Sequence, residues 1–423
     1  MRWKDLWRKA AVVLAAVTMA AGAARAHADE TLTLGDAIAR ALKFAPSLAA
    51  QAAASDIAAA NVGAARAPLL PNISAGGEYL QEPGYDPVVT NRGQTDLLLS
   101  LNYTAFDGGQ QLARLRAARY AAEAATLGVA AMRAQIVFDA RVAYFDLARA
   151  RAERAELSDS LARLDRYVAI VEALRRSGRA IPNDVLRIRA ARDATAIQQA
   201  GAVQQVHHAS IVLGSLIGEF DRDDLPIAPV TAPPRHAPSG DPDANPAYRA
   251  AERQVESAQM ALEAARRERM PTFTIALTSG YLGIDPPNTF QHRLGASYGG
   301  GFNLPIFSGG LIKSHVDAAG AAERQAIARR EAVKVAVMRA LSDARERYED
   351  ARKQLALIQS SEATADDAFG LDWTRFLGGG AATMLEVVDA FDQAQALRIA
   401  AIEQIFAARQ AAAQAALALG QTQ

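Results

Sequence analysis

The chain has 423 residues, and its 46 lysines and arginines are balanced by 46 aspartates and glutamates. That balance leaves no global basic field to draw in nucleic acid, and the absence of cysteine excludes disulfides, thiolate metal sites and a lipid-bearing cysteine. Half the residues are hydrophobic but only 6% are aromatic, a composition that leans towards long helices and coiled coils rather than a bulky aromatic core.

Residues 1–28 read as an export signal. Arg2, Lys4, Arg8 and Lys9 charge the start, an apolar run spans Ala10 to Ala24, and Ala26-His27-Ala28 offers an A-x-A cleavage site. The run is shorter than the roughly 20 residues a membrane-spanning helix needs, so the mature chain is expected to begin at Asp29, outside the cytoplasm. No later stretch has 18 uninterrupted apolar residues, so any membrane crossing must use β-strands.

The first repeat, 29–220, opens with a helical segment over 34–66 that must stop before Pro71, because proline cannot continue a helix and biases its predecessor to extended backbone. Two strands are expected near 72–80 and 95–104, around the turn-rich "QEPGYDPVVTNRGQ". Leu97, Leu99, Leu101 and Tyr103 alternate with Asp96, Leu98, Ser100 and Asn102. Such alternation suits either a half-buried soluble strand or an outer-membrane barrel strand. At "FDGG" the period changes, and a helical hairpin is expected over 107–218. Leu115, Ala122, Val129, Ile136, Ala143, Ala150, Leu157 and Leu164 recur at a strict seven-residue spacing, which keeps one seam facing a partner as helices supercoil. A continuous helix from Gly109 to about Leu157 would reach roughly 70 Å.

An irregular, proline-rich and acidic linker follows at 221–246. The second repeat, 247–423, has the same order: a helix over 247–269, strands near 272–280 and 294–304 around "YLGIDPPNTFQHR", and a helical hairpin over 308–420. Phe273, Ile275 and Leu277 alternate with threonines and alanine. Leu294, Ala296, Tyr298, Phe302 and Leu304 also alternate, with Gly300 in the same phase.

The two repeats match at a nearly constant offset. Ala45-Pro46 and Asn245-Pro246 stand 200 apart, as do "LLPNIS" at 69–74 and "RMPTFT" at 269–274. Phe106, Gly108 and Gly109 match Phe307, Gly309 and Gly310 at 201, and Gly178 matches Gly379 at the same offset. That constancy points to a tandem duplication with units far longer than solenoid repeats. Asp107 and Ser308 suit helix N-caps, and Gly108-Gly109 and Gly309-Gly310 allow an abrupt passage from strand to helix. These six residues form the expected strand-to-helix junction.

Catalytic and cofactor signals are lacking: no P-loop, complete dinucleotide fingerprint, serine elbow or His-Glu-x-x-His occurs. His207-His208 point about 100° apart on a helix, which suits surface or packing roles rather than one metal site. Asp223-Asp224 and Asp366-Asp367 read as solvated charges. No enzyme activity, cofactor or metal is expected.

In this order, "LGDAIARALKFAPSL", "LLPNIS", "FDGG", "LPIFSGGLI", "SGRAIPNDVLRIRAARD" and "GAATMLEVVDAFDQAQA" resemble the TolC family of outer-membrane efflux proteins, the outer-membrane factors, over essentially the whole mature chain. The resemblance implies a mainly α protein with a membrane β-barrel part. Each protomer of a homotrimer would give four strands to a twelve-stranded barrel in outer-membrane lipid, and long coiled-coil helices to a periplasmic tunnel. It further implies a passive exit duct for tripartite efflux or type I secretion, fed by an inner-membrane pump through a periplasmic adaptor (membrane fusion protein). The helix-hairpin tips would lie near 148–160 and 348–362 and form a closed entrance. Asp350, Glu349, Glu346 and Asp159 would be gate carboxylates there, with Arg347 and Tyr348 locking the closed tips. Segments 174–188 and 374–390 would girdle the tunnel's waist. A soluble periplasmic coiled-coil adaptor or scaffold is the competing reading; it accounts for the heptads but not for four symmetrically placed barrel-length segments.

Overall fold

The computed structural model describes residues 31–84, 86, 93–220, 222–230, 232–284, 291–379 and 382–422. The expected export signal, and part of each strand-to-strand loop, lie outside them.

The first helical stretch is two helices rather than the one expected. Thr33 opens α1 (Leu34–Phe44) with a capping box: its hydroxyl accepts the Asp36 N–H at 3.2 Å and Asp36 accepts back from Thr33. Helix α1 ends where Ala45 turns to ψ 107° ahead of Pro46, whose ring begins α2 (Pro46–Arg66). A 3₁₀ turn over Ala67–Leu69 then delivers the chain to β1 (Asn72–Gln81) and β2 (Gly93–Phe106). The helices α3 (Gln110–Arg176) and α4 (Pro182–Ile217) complete the first repeat. The second repeats the pattern with α5 (Pro246–Arg267), β3 (Thr272–Ile284), β4 (Gln291–Asn303), α6 (Leu311–Leu377) and α7 (Met384–Ala418). The strands fall where expected, and β4 stops just before Leu304-Pro305, where proline has no N–H for the ladder.

Helices α3 and α6 each have 67 residues, roughly 100 Å at 1.5 Å per residue. They run unbroken through 148–160 and 348–362, so the expected hairpin tips are not there. Gly178 (φ 76°) turns the chain between α3 and α4, and Gly379 (φ 114°) turns it between α6 and α7. The segments expected at a waist, 174–188 and 374–390, therefore contain the helix ends and the turns at Gly178 and Gly379 instead. The reason is local: 137–176 and 341–369 contain neither glycine nor proline, so nothing interrupts either helix earlier.

The chain divides into two compact units. One comprises residues up to Ala45, Arg133–Ser239 and Ala340–Gln423; the other comprises Pro46–Met132 and Gly240–Arg339 and carries the sheet. In the first unit the seven-residue seam of α3 is buried at Ile136, Ala143, Ala150, Leu157 and Leu164, and α6 buries Leu341, Tyr348 and Leu355 at the same spacing. Small side chains meet them: Ala344 packs with Ala415 and Ala418, and Ala351 with Ala408 and Ala411. The linker is pinned along this unit rather than loose. Leu32 bridges to Ile227, the Tyr144 hydroxyl lies 3.1 Å from the carbonyls of Leu32 and Ala228, and the Tyr348 hydroxyl donates to Pro234 O at 2.8 Å.

Candidate functional site: a one-faced sheet, its junctions and two hairpin turns

The four strands form one antiparallel sheet in the order β1-β2-β3-β4, with β1 and β4 at its edges. Residues opposed across a ladder share a face. Ile73, Leu101, Leu277 and Tyr298 form one cross-strand row, and Ala75, Leu99, Ser279 and Ala296 form the next. Every alternating apolar position expected from 97 to 103, 273 to 277 and 294 to 302 falls on this face. Most of its side chains are exposed, Tyr298 by 87% and Leu294 by 86%, while Leu101 and Tyr103 are half-buried. The other face carries rows such as Ser74, Ser100, Thr278 and Ser297, or Asn72, Asn102, Ala276 and Gly299. An exposed apolar face backed by a small, polar one is the pattern of a strand set between lipid and a wet lumen.

At the end of the sheet nearest the helices, a register shift between Thr104 and Phe106 places Phe106 opposite Phe273. Phe106, Phe273 and Phe302 make an aromatic row with ring centroids 6.0 Å apart. Rings at such a boundary suit the girdle of a membrane barrel.

The first junction follows directly. Asp107 caps α3: its carboxylate accepts the N–H of Gly109 at 2.8 Å and of Gln111 at 2.6 Å. Gly108 (φ 66°) and Gly109 (φ 81°) take the left-handed backbone that side chains resist. Space demands glycine as well, since a Cβ on Gly108 would lie 2.5 Å from Met270 Cβ. Arg267 clamps the turn, donating to the carbonyls of Gly108 at 3.2 Å and Gly109 at 3.1 Å while pairing with Glu263. Beside it, Glu268 accepts from Arg114 at 3.3 Å and meets His315 at 2.7 Å. Arg267, Glu268 and Met270 went unnoticed in the sequence because their partners lie far away in it. Ser308, Gly309 (φ 61°) and Gly310 (φ 89°) repeat the device before α6, with the Ile312 N–H 3.5 Å from Ser308 Oγ. Around Gly309 and Gly310, however, no described atom lies within 4 Å of an added Cβ.

The hairpin turns are joined within the first unit. Arg179, in the turn after α3, donates to the Leu377 carbonyl at 2.8 Å and so caps the C-terminus of α6. Thr383 and Glu386 form a reciprocal capping box that starts α7, and the Ile181 N–H donates to Asp184 at 3.0 Å to start α4. Behind the turns, Tyr167 lies 4.5 Å from Trp373 and 5.6 Å from Phe369, which meets Phe391 at 5.6 Å. Leu164, Val171, Val185, Met384 and Val387 are buried with them. A little further along, Arg163 and Arg398 both lie 2.9 Å from Glu156, and Arg398 also pairs with Asp366 at 2.9 Å. One carboxylate thus couples the two repeats' hairpins. Burial, then the nearby Asp389 charge, raises the Asp392 carboxyl above its usual range.

The residues expected at a tip lie elsewhere. Glu346, Arg347, Glu349 and Asp350 are exposed in mid-α6, with Asp350 roughly 40 Å along the helix from its end. Asp159 is exposed in mid-α3. Tyr348 is buried against the linker and bonds Pro234 rather than another hairpin. Arg347 and Asp350 line a cavity of about 470 Å³ with Phe138, Gln354, Gln404 and Gln414. The structure groups five of the six as neighbours on α6, leaves Asp159 on α3, and brings none of them to a turn. Among the described residues there is no group of three or more potential metal ligands, and no helix long and apolar enough to cross a membrane.

Comparison with known proteins agrees with this geometry. The sequence is 25% identical over 402 residues to the outer membrane efflux protein BepC of Brucella suis, covering 93% of this chain and 86% of that protein. The fold matches a membrane protein from Pseudomonas aeruginosa with a TM-score of 0.83 at 22% identity, covering 92% of this chain and 90% of the other. It matches the outer membrane protein VceC of Vibrio cholerae at 0.80 and 20% identity, covering 92% and 96%. Residues 37–219 and 243–422 both match the profile of the outer membrane efflux proteins, and the chain belongs to that family.

Proposed function

We propose that three copies of this chain close a twelve-stranded barrel in the outer membrane. Their long helices continue it as a periplasmic tunnel, and the assembly is the passive exit duct of a tripartite efflux or type I secretion system. An inner-membrane pump, reached through a periplasmic adaptor, supplies energy and cargo. The observation that carries the reading is the sheet: four strands expose a continuous apolar face and leave two edges unpaired, and an open edge is untenable in lipid. The soluble adaptor or scaffold reading gives no reason for that face. Reconstitution in planar bilayers tests it: channels that appear only with the detergent-solubilised oligomer support it, and an electrically silent, folded preparation contradicts it.

The tunnel entrance, on this reading, is formed by the hairpin turns at Gly178 and Gly379, held by the Arg179–Leu377 bond and the aromatic cluster behind them. Gate roles for Asp350, Glu349, Glu346, Arg347, Tyr348 and Asp159 would act from mid-helix. Arg179→Ala is accordingly expected to raise open probability, while Asp350→Asn leaves single-channel conductance unchanged. The reverse pattern would return the gate to the middle of α6.

A further inference from the structure

We infer that the seam between neighbouring copies repeats the β2–β3 seam inside one chain, with Asn303 of β4 opposite Gly76 of the next copy's β1. The inference rests on the assembly proposed above and fixes its register.

Two features carry it. The first is the duplication. β1 corresponds to β3 at an offset of 200, through "LLPNIS" and "RMPTFT", and the exit of β2 corresponds to the exit of β4 at 201, through Phe106 and Phe307. Within the chain Asn102 opposes Ala276. Applying the two offsets carries that pair to Asn303 and Gly76. Each has one side already taken, Asn303 by Thr272 and Gly76 by Leu98, and the other side at the open edge. The resulting pair is antiparallel, because four alternating strands return the chain to its starting direction. It also keeps the faces in phase: Phe302 meets Gly77 on the apolar side, where a ring can cover a glycine that has no side chain of its own.

The second feature is the vacancy at the second junction. Gly108 is crowded by Met270, whereas Gly309, with the same left-handed backbone, has open space around it. The offset that makes β3 into β1 turns Met270 into Leu70, which is 53% exposed ahead of β1. In the inferred register Leu70 of the next copy takes at Gly309 the place that Met270 takes at Gly108. One chain thus holds one finished junction, and its neighbour finishes the other.

The chain has no cysteine, so introduced pairs report cleanly. Asn303→Cys with Gly76→Cys is oxidised in detergent-solubilised oligomer and run on denaturing gels without reductant, beside the two-residue slips Asn303→Cys with Ser74→Cys and Asn303→Cys with Glu78→Cys. Directly opposed residues fall within disulfide reach and slipped ones beyond it. The expected result is a covalent trimer ladder for the first pair, at least tenfold faster than for either slip. Leu304→Cys with Ala75→Cys, on the other face, is a second pair in the same register should the first fold poorly. Faster linkage in a slipped pair, or none in either in-register pair while light scattering shows trimers, overturns the register. A monomer by light scattering defeats the assembly itself.

Discussion

At the residue scale, positive-φ glycines carry the turns of the architecture, and all of them but Gly84 among the described residues come in repeat-related pairs: Gly108 with Gly309, Gly109 with Gly310, Gly178 with Gly379, and Gly218 with Gly420. They differ in surroundings, and that difference is measurable. Gly178→Ala meets no neighbouring atom, so it should cost only the left-handed strain of roughly 1–2 kcal/mol. Gly108→Ala adds a collision with Met270 and should lower the thermal midpoint clearly further; equal midpoints would mean that the junction is looser than described. Glu386 supplies a pH-dependent case. The backbone N–H of Thr383, and then its hydroxyl, hold the carboxyl below its ordinary range. A lowered folded pKa means stability that is present above the unfolded value and lost as pH falls through the folded one. Glu386→Gln should therefore be less stable than the parent at neutral pH, with the gap closing in acid. A gap independent of pH would show that the cap does not depend on charge. The glycine pairs were legible in the sequence because they recur at a nearly constant offset, 201 for three of them and 202 for Gly218 with Gly420. Arg267 was not, because its partners, Gly108 and Gly109, lie 159 and 158 residues away.

At the element scale, the alternation of period two and the seven-residue seam identified strands and helices correctly, and the ladder places every alternating apolar residue on one face. Helix ends were harder to read. The tips were expected at 148–160 and 348–362 from the resemblance alone, and both segments are uninterrupted helix. The first helix-breaking device after α3 is Ser177-Gly178, and after α6 it is Gly378-Gly379. The split at Ala45-Pro46 was visible as a proline and was still read through. Tyr167, Phe369, Trp373 and Phe391 meet behind the hairpin turns; only Phe369 and Trp373 are local neighbours, four apart on α6, and no local pattern could bring Tyr167 and Phe391 to them. Trp373→Ala should cost about 3 kcal/mol, the low end for losing a partly covered ring, and should speed amide exchange across both turns. Faster exchange confined to α6 would show that the two hairpins are not coupled there.

At the scale of the whole molecule, a four-stranded sheet with an exposed apolar face and two edges supports the proposed reading, in which a single chain is one part of a larger wall. The chain's aromatic content is low because alanine seams between long helices make up much of its core, and its most exposed large side chains lie on β4 and just beyond it, at Leu294, Tyr298, Ile306 and Phe307. The duplication supplies two similar halves, and on the proposed assembly three copies would supply six and close an open ribbon into a ring. The most direct test of this account is the mass of the folded, detergent-solubilised protein by light scattering, with the bound detergent subtracted. The account predicts three chains per particle. A single chain, folded and stable in water without detergent, would contradict it.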